Sequence, residues 1–303
     1  MTTGTEEPGA TEEGTFRGTR ARRLHWQGWS PAGDQPPKGV ITIAHGYGEH
    51  IGRYQHVAAR LNQAGFAVYG LDHHGHGRSA GKRGRVGLAA AVTDLDQLIV
   101  TVSRTRHPDT PQFLLGHSMG GAIALRYAMA HQTRLNGLAI SAPLAAVDGG
   151  PALLAFGKIA GRLLPSAPVS RVDPRLVSRD HAVVKDYIAD PLNHHGPVPA
   201  GVARDFIVHA GTLGAGVRRI TLPTLLMWGT ADRLCPTSGS ELVAKEIGSE
   251  DLTVKRYEGL FHEILNEPER EQVIDDLVAW LDGHLSDDDG DDDGPTLHDP
   301  TQP

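Results

Sequence analysis

The chain has 303 residues, 39% of them hydrophobic, enough for a single α/β domain with an insertion and a sizeable core. Its formal charge of −7 sits at the ends: residues 1–14 carry four glutamates, residues 286–303 carry seven aspartates, neither end has Lys or Arg, and without them the body is +4. This excludes a nucleic-acid footprint, the lone Cys235 excludes an intramolecular disulfide, and no apolar run approaches the roughly 18 residues of a membrane span.

The first residues, MTTGTEEPGATEEGT, have neither the basic region nor the apolar region of a signal peptide, and a cytoplasmic protein is expected. The acidic head (1–14) and acidic tail (286–303) are too poor in apolar residues to pack and are expected to be disordered and solvated.

Between these ends, short apolar runs alternate with helical patterns. Strands are predicted at 23–29, 39–45, 66–72, 112–117, 137–143, 224–230 and 252–258, and helices at 54–64, 88–104, 120–130 and 238–247. A last helix is predicted from EREQVIDDLVAWLDGHL, with Val273, Ile274, Leu277, Val278 and Leu281 on one face. Strand–helix alternation predicts an α/β fold with a mostly parallel central sheet flanked by helices. Residues 144–219 break the rhythm with prolines and helical runs but no clear strand. They are expected to form a helical cap inserted between two parts of the core, 15–143 and 220–285, overhanging the carboxyl edge of the sheet.

Within LLGHSMGGAIALRYA, Gly116-His117-Ser118-Met119-Gly120 follows a strand and opens a helix, the context required of a G-x-S-x-G nucleophile elbow. The flanking glycines relieve crowding at the sharp turn, and the hydroxyl projects where a helix N-terminus favours an oxyanion. A serine needs a base, and the base an orienting acid. After such an elbow the expected order is Ser, Asp or Glu, then His. Asp232 and His262 each follow a strand and meet that order. Asp205 and His284 lack that position, and Asp72 precedes the serine. His73, His74 and His76 invite a metal reading, but no H-E-x-x-H or cysteine pair accompanies them, and no metal or other cofactor is expected.

The early loop AHGYGEHIGRY lacks the Lys-Ser/Thr of a phosphate loop and the third glycine of a dinucleotide fingerprint. With a nucleophile elbow present it reads as an oxyanion loop. Tyr47, between the glycines, supplies one backbone N–H, and Met119, the residue after the serine, supplies the other.

The segments HGYGEHIGRY, LDHHGHGRS, GHSMGG, SAP, DPL, GTADRLCP and YEGLFHEILNEPER follow the order of the monoacylglycerol lipases of the α/β-hydrolase superfamily, which the chain resembles over most of residues 24–285. The resemblance implies an α/β-hydrolase fold with a cap over a lipid tunnel. It also implies Ser118, Asp232 and His262 as the triad, and Tyr47 and Met119 as the oxyanion donors. Glu49, Arg53 and Tyr187 are implied at the glycerol head group. Tyr47 stands where the family usually carries a small residue. The expected activity is hydrolysis of monoacylglycerol esters. A lysophospholipase or broad carboxylesterase is the nearest rival, a serine aminopeptidase a weaker one, and a non-catalytic lipid-binding protein the rival of another class. The segment PALLAFGKIAGRLLP, apolar with Lys158 and Arg162 four residues apart, suits peripheral contact with a membrane or lipid droplet. Cys235, three residues after Asp232, is expected beside the site, where bulky thiol reagents would obstruct it. The sequence leaves the oligomeric state open.

Overall fold

The computed structural model describes residues 11–33 and 35–285. Most of the acidic head and the whole acidic tail lie outside them. Strand β1 (Thr11–Arg17) pairs antiparallel with β2 (Arg23–Trp29). Then come β3 (Gly39–Ala44), α1 (Gln55–Gln63), β4 (Phe66–Leu71) and α2 (Leu88–Leu98). A π-turn carries α2 into the short α3 (Arg104–Arg106). Next are β5 (Gln112–His117), α4 (Met119–His131) and β6 (Gly137–Ser141). The inserted region holds α5 (Pro151–Leu163), β7 (Pro168–Ser170), α6 (His181–Ala189), β8 (Val198–Pro199) and α7 (Ala200–Val217). The chain returns to the core with β9 (Thr224–Gly229), α8 (Thr237–Glu246), β10 (Leu252–Tyr257) and α9 (Arg270–Asp282).

Eight strands form one sheet in the order β1-β2-β4-β3-β5-β6-β9-β10. From β4 to β10 every neighbour is parallel, and the β1–β2 hairpin adds an antiparallel edge. The order reverses at β3, so the loops leaving β3 and β5 diverge and open a crevice at the carboxyl edge. Side chains alternate between the faces. On β5, Leu114 joins the core shared with α2 and α4, while Phe113 and Leu115 join the core under α1 and α9. The predicted last helix buries Val273, Ile274, Leu277 and Leu281, with Trp280 added and Val278 at the margin.

Two expectations are corrected. The disordered head does not extend to residue 14, because Thr11–Gly14 belong to β1. The strand TEEGTFR has no apolar run to announce it. It is held by its ladder to β2 and by ion pairs of Glu12 with Arg106 and Glu13 with Arg78, and Gly14 leaves room for the Trp26 indole. The inserted region is also not free of strands, since β7 and β8 pair as a short antiparallel ribbon.

Close backbone approach fixes the helix after β5. A Cβ on Gly120 would stand 1.8 Å from the Ala44 carbonyl oxygen, so α4 and β3 cannot separate to admit one without displacing the loop after β3. Gly120→Ala is expected to destabilise the fold by about 3 kcal/mol in chemical denaturation. Gly150→Ala, whose Cβ meets nothing within 4 Å, serves as the control and is expected to leave the midpoint unchanged.

Candidate active site

Ser118 joins β5 to α4 with φ +55° and ψ −117°, a conformation non-glycine residues rarely adopt. Gly116 makes this possible on one side of the turn: a Cβ there would lie 2.5 Å from the Gly120 carbonyl oxygen. The Ser118 N–H donates to the Ser141 carbonyl at 3.0 Å, which fixes the turn against β6. The side chain lines a cavity of about 300 Å³.

Asp232 and His262 come from the turns after β9 and β10, on the same sheet edge. His262 Nδ1 and Asp232 Oδ2 are 2.7 Å apart, both side chains being buried. The other carboxylate oxygen of Asp232 accepts the N–H groups of Leu234 and Cys235 at 2.8 and 3.0 Å. Burial opposes the Asp232 charge, but His262 and these N–H groups hold the carboxyl below its ordinary range. Burial likewise disfavours the His262 imidazolium. The Asp232 carboxylate outweighs it and raises the histidine above its ordinary 6.5. Ser118 and His262 both line the cavity, and the Ser118 hydroxyl lies 3.8 Å from the Cys235 sulfur. The structure thus brings Ser118, Asp232, His262 and Cys235 to one place. It leaves the rivals elsewhere: Asp205 pairs with Arg204, His284 with Asp251, and Asp72 braces the backbone of Ile51 and Arg78.

The loop after β3 runs alongside the serine. A Cβ on Gly46 would stand 3.2 Å from Ser118 Cβ, so the backbone leading to Tyr47 passes the nucleophile turn. Glu49 shapes this loop. Its Oε1 accepts the Gly46 N–H at 2.5 Å and the Tyr54 hydroxyl at 2.8 Å, and its Oε2 accepts Arg53 Nη1 at 2.7 Å. Arg53 in turn makes a bidentate pair with Glu263 at 2.8 and 2.7 Å, and its guanidinium stacks 4.7 Å from the Tyr187 ring centroid. Burial pushes the Glu49 carboxyl up. Burial opposes the Glu263 charge too, but Arg53 holds that carboxyl down at about 2. Glu49, Tyr187 and Glu263 line the cavity, while Arg53 is not among its lining residues.

Sequence reasoning missed Glu263 and His117. His117 packs at a tilt against His262, 4.8 Å between centroids, and burial pushes it down to about 3, so it adds no positive charge beside the base. Glu263 directly follows His262, but its arginine lies 210 residues earlier, and nothing local announces the pair. A further contact links the β3 loop to the inserted region: His50 Nε2 lies 2.8 Å from the Asp190 carboxylate, inside the DPL segment. The Tyr47 side chain packs edge-on against His76, His194 and Phe206, and its hydroxyl donates to the Gly84 carbonyl at 3.0 Å. His73 and His76 pack at a tilt around His45 as buried rings that desolvation keeps neutral.

Residues 35–269 match the family model described as serine aminopeptidase, S33. The chain is 41% identical over 275 residues to the monoacylglycerol lipase of Mycolicibacterium smegmatis, covering 90% of this chain and 98% of that one. The monoglyceride lipase of Rattus norvegicus is 36% identical, with 84% of each chain covered. The chain belongs to the monoacylglycerol lipase family of α/β-hydrolases. The crystal structure of the monoacylglycerol lipase of Paleococcus ferrophilus superposes on this family member with a TM-score of 0.78 at 33% identity, covering 86% of this chain and 99% of that one. The family model carries a peptidase name, whereas these relatives are lipases.

A serine hydrolase of this family needs a neutral histidine as base, so its rate falls as pH drops through the histidine's pKa. Because Asp232 raises that pKa, the acid limb of kcat/KM is expected above 6.5. Asp232→Asn removes the main opposition to burial and leaves only the Glu263 and Glu49 charges, so the limb should move to lower pH than in the parent, with kcat reduced about 10⁴-fold. A pH–rate profile of both proteins checks this. At Cys235, burial, joined by the Asp232 charge, pushes the thiol far above its ordinary range. Iodoacetamide at neutral pH is therefore expected to react with Cys235 far more slowly than with a free thiol, measured by intact mass.

Proposed function

We propose that this protein hydrolyses monoacylglycerols to glycerol and free fatty acid through an acyl-enzyme on Ser118. The observation that carries the reading is the cavity. Most of its lining is apolar, from residues such as Leu144, Val172, Val198, Phe206 and Ile207, with Asp148, Ser170 and Arg171 also on its wall. It is polar where Glu49, Tyr187 and Glu263 stand beside Ser118 and His262. Such a cavity matches an ester with one hydrocarbon arm and one hydroxylated arm. Its volume of about 300 Å³ is at the low end for ligand sites, roughly 300–1,000 Å³, and suits one acyl chain rather than three. The curated relatives support the same substrate class, since those named above are monoacylglycerol and monoglyceride lipases.

In this reading His262 takes the proton of Ser118 as its oxygen attacks the ester carbonyl. Asp232 holds the imidazole and stabilises the imidazolium. The backbone N–H groups of Tyr47 and Met119 receive the oxyanion. His262 then gives its proton to the departing glycerol oxygen. Water, deprotonated by the same histidine, releases the fatty acid from Ser118. Glu49 and Tyr187 face the glycerol. Arg53 acts through them, since it holds Glu49 and Glu263 in place and stacks on Tyr187. Residues 144–219 act as the cap, between the core segments 11–143 and 220–285.

The lipid substrate also calls for peripheral contact with a lipid surface. On α5, Leu153, Phe156, Ile159 and Leu163 are 59 to 71% exposed, a face more apolar than solvent favours. No helix among the described residues is long and apolar enough to cross a membrane.

Ser118→Ala is expected to lower kcat on a monoacylglycerol by about 10⁶-fold while the melting temperature is unchanged or higher. Retained turnover would remove Ser118 from the mechanism. A kcat/KM panel of monoacyl-, diacyl- and triacylglycerols, lysophosphatidylcholine and an aminoacyl anilide is expected to rank the monoacylglycerol first. Preference for the lysophospholipid or the anilide would reassign the substrate.

A further inference from the structure

At the C-terminal end of α5 the exposed apolar face meets a second cavity. Leu163 and Leu164 are 71 and 63% exposed, and the next residue, Pro165, lines a groove of about 580 Å³. Arg20, Arg22, Arg85 and His74 line the same groove. The Arg85 guanidinium bonds to the Ser166 hydroxyl, which ties the basic loop directly to the end of the apolar helix. Arg20 and Arg22 have no carboxylate partner among the described residues.

Three segments that border the groove are basic and free of acid, while α2 and α7 each bring a carboxylate: Asp94 on α2 accepts the Thr19 N–H at 2.5 Å beside the groove, which it does not line. Residues 14–33 contain Arg17, Arg20, Arg22 and Arg23 and no Asp or Glu. Residues 73–93 contain Arg78, Lys82, Arg83 and Arg85 and no Asp or Glu, and residues 149–172 contain Lys158, Arg162 and Arg171 and none either. The one carboxylate that lines the groove, Asp205 on α7, is partly neutralised by Arg204. Exposed lysine and arginine, at positions 158 and 162, continue the positive charge along α5 itself.

We propose that this groove receives the phosphate-bearing headgroup of an anionic lipid, so that α5 docks on anionic rather than neutral bilayers. The inference rests on the lipid-surface contact set out above and adds which surface and which residues select it. A free phosphate would satisfy the arginines alone. A bilayer satisfies them and also covers the adjoining leucines, phenylalanine and isoleucine, which otherwise stand in water. Each basic group near an anionic membrane strengthens binding about fivefold, and the gain is screened by salt.

The test uses the full chain and sedimentation with sucrose-loaded vesicles of phosphatidylcholine, alone or with about one-third phosphatidylglycerol. The expected result is binding at least about tenfold tighter to the anionic vesicles, reduced by added salt. The Arg20→Ala/Arg22→Ala double variant should lose that gain but keep its activity on a dispersed short-chain ester. Leu163→Ser should weaken binding to both kinds of vesicle. Equal binding to neutral and anionic vesicles, or an undiminished preference in the double variant, overturns the headgroup site and leaves the lipid-surface reading standing. Absence of binding to either vesicle overturns both.

Discussion

The site depends on one buried cation. Arg53 is shared by Glu49 and Glu263, and through them it joins the loop after β3 to the loop after β10. Removing three charges from water is costly, and the cost is offset only when each is fully hydrogen-bonded. Here Glu263 takes both guanidinium prongs, and Glu49 collects Gly46, Tyr54 and Arg53. The arrangement leaves an excess of negative charge beside His262, in the same sense as the raised pKa of that histidine. It also fixes the backbone of Gly46, and with it the direction of the Tyr47 N–H proposed to meet the oxyanion. One guanidinium thus supports both the proposed base and one proposed electrophilic donor.

Sheet topology supplies the rest. The reversal at β3 places the β3 and β5 loops on either side of a crevice, and β9 and β10 deliver Asp232 and His262 to the same edge. Glycine makes the approach close enough. The α4 helix reaches the β3 loop only because Gly120 has no side chain, and Ser118 takes its positive φ because its neighbour Gly116 leaves space. Strain at the serine is held by the hydrogen bond to Ser141 and by the packing of α4.

Much of this was legible in the sequence. The strands that line the site are short, apolar and bounded by glycine or proline, so their positions follow from local pattern to within a residue or two, as at 112–117 and 224–230. Ser118, Asp232 and His262 could be placed on one edge because each follows such a strand. What escaped reading has no local cause. Strand β1 is polar and exposed, and exists because β2 offers it a ladder. The Arg53–Glu263 pair spans 210 residues, and the β7–β8 ribbon joins two proline-bearing segments without an apolar run. Glu49 and Arg53 were read from resemblance as head-group residues. The geometry gives Glu49 a wall of the cavity and Arg53 a place behind it.

The stitching between the β3 loop and the inserted region has a consequence for how the protein opens. Gly48 accepts the His194 N–H at 2.8 Å, His50 meets Asp190, and the Tyr47 ring leans on His194 and Phe206. A movement that lifts residues 190–194 from the core breaks the same bonds that hold the loop beside Ser118. The α5 flank carries no such tie to that loop. Opening on the side of residues 190–194 is therefore interlocked with the loop beside Ser118, whereas the α5 flank proposed to meet lipid is tied to the core at a different place, through Arg85 and Ser166.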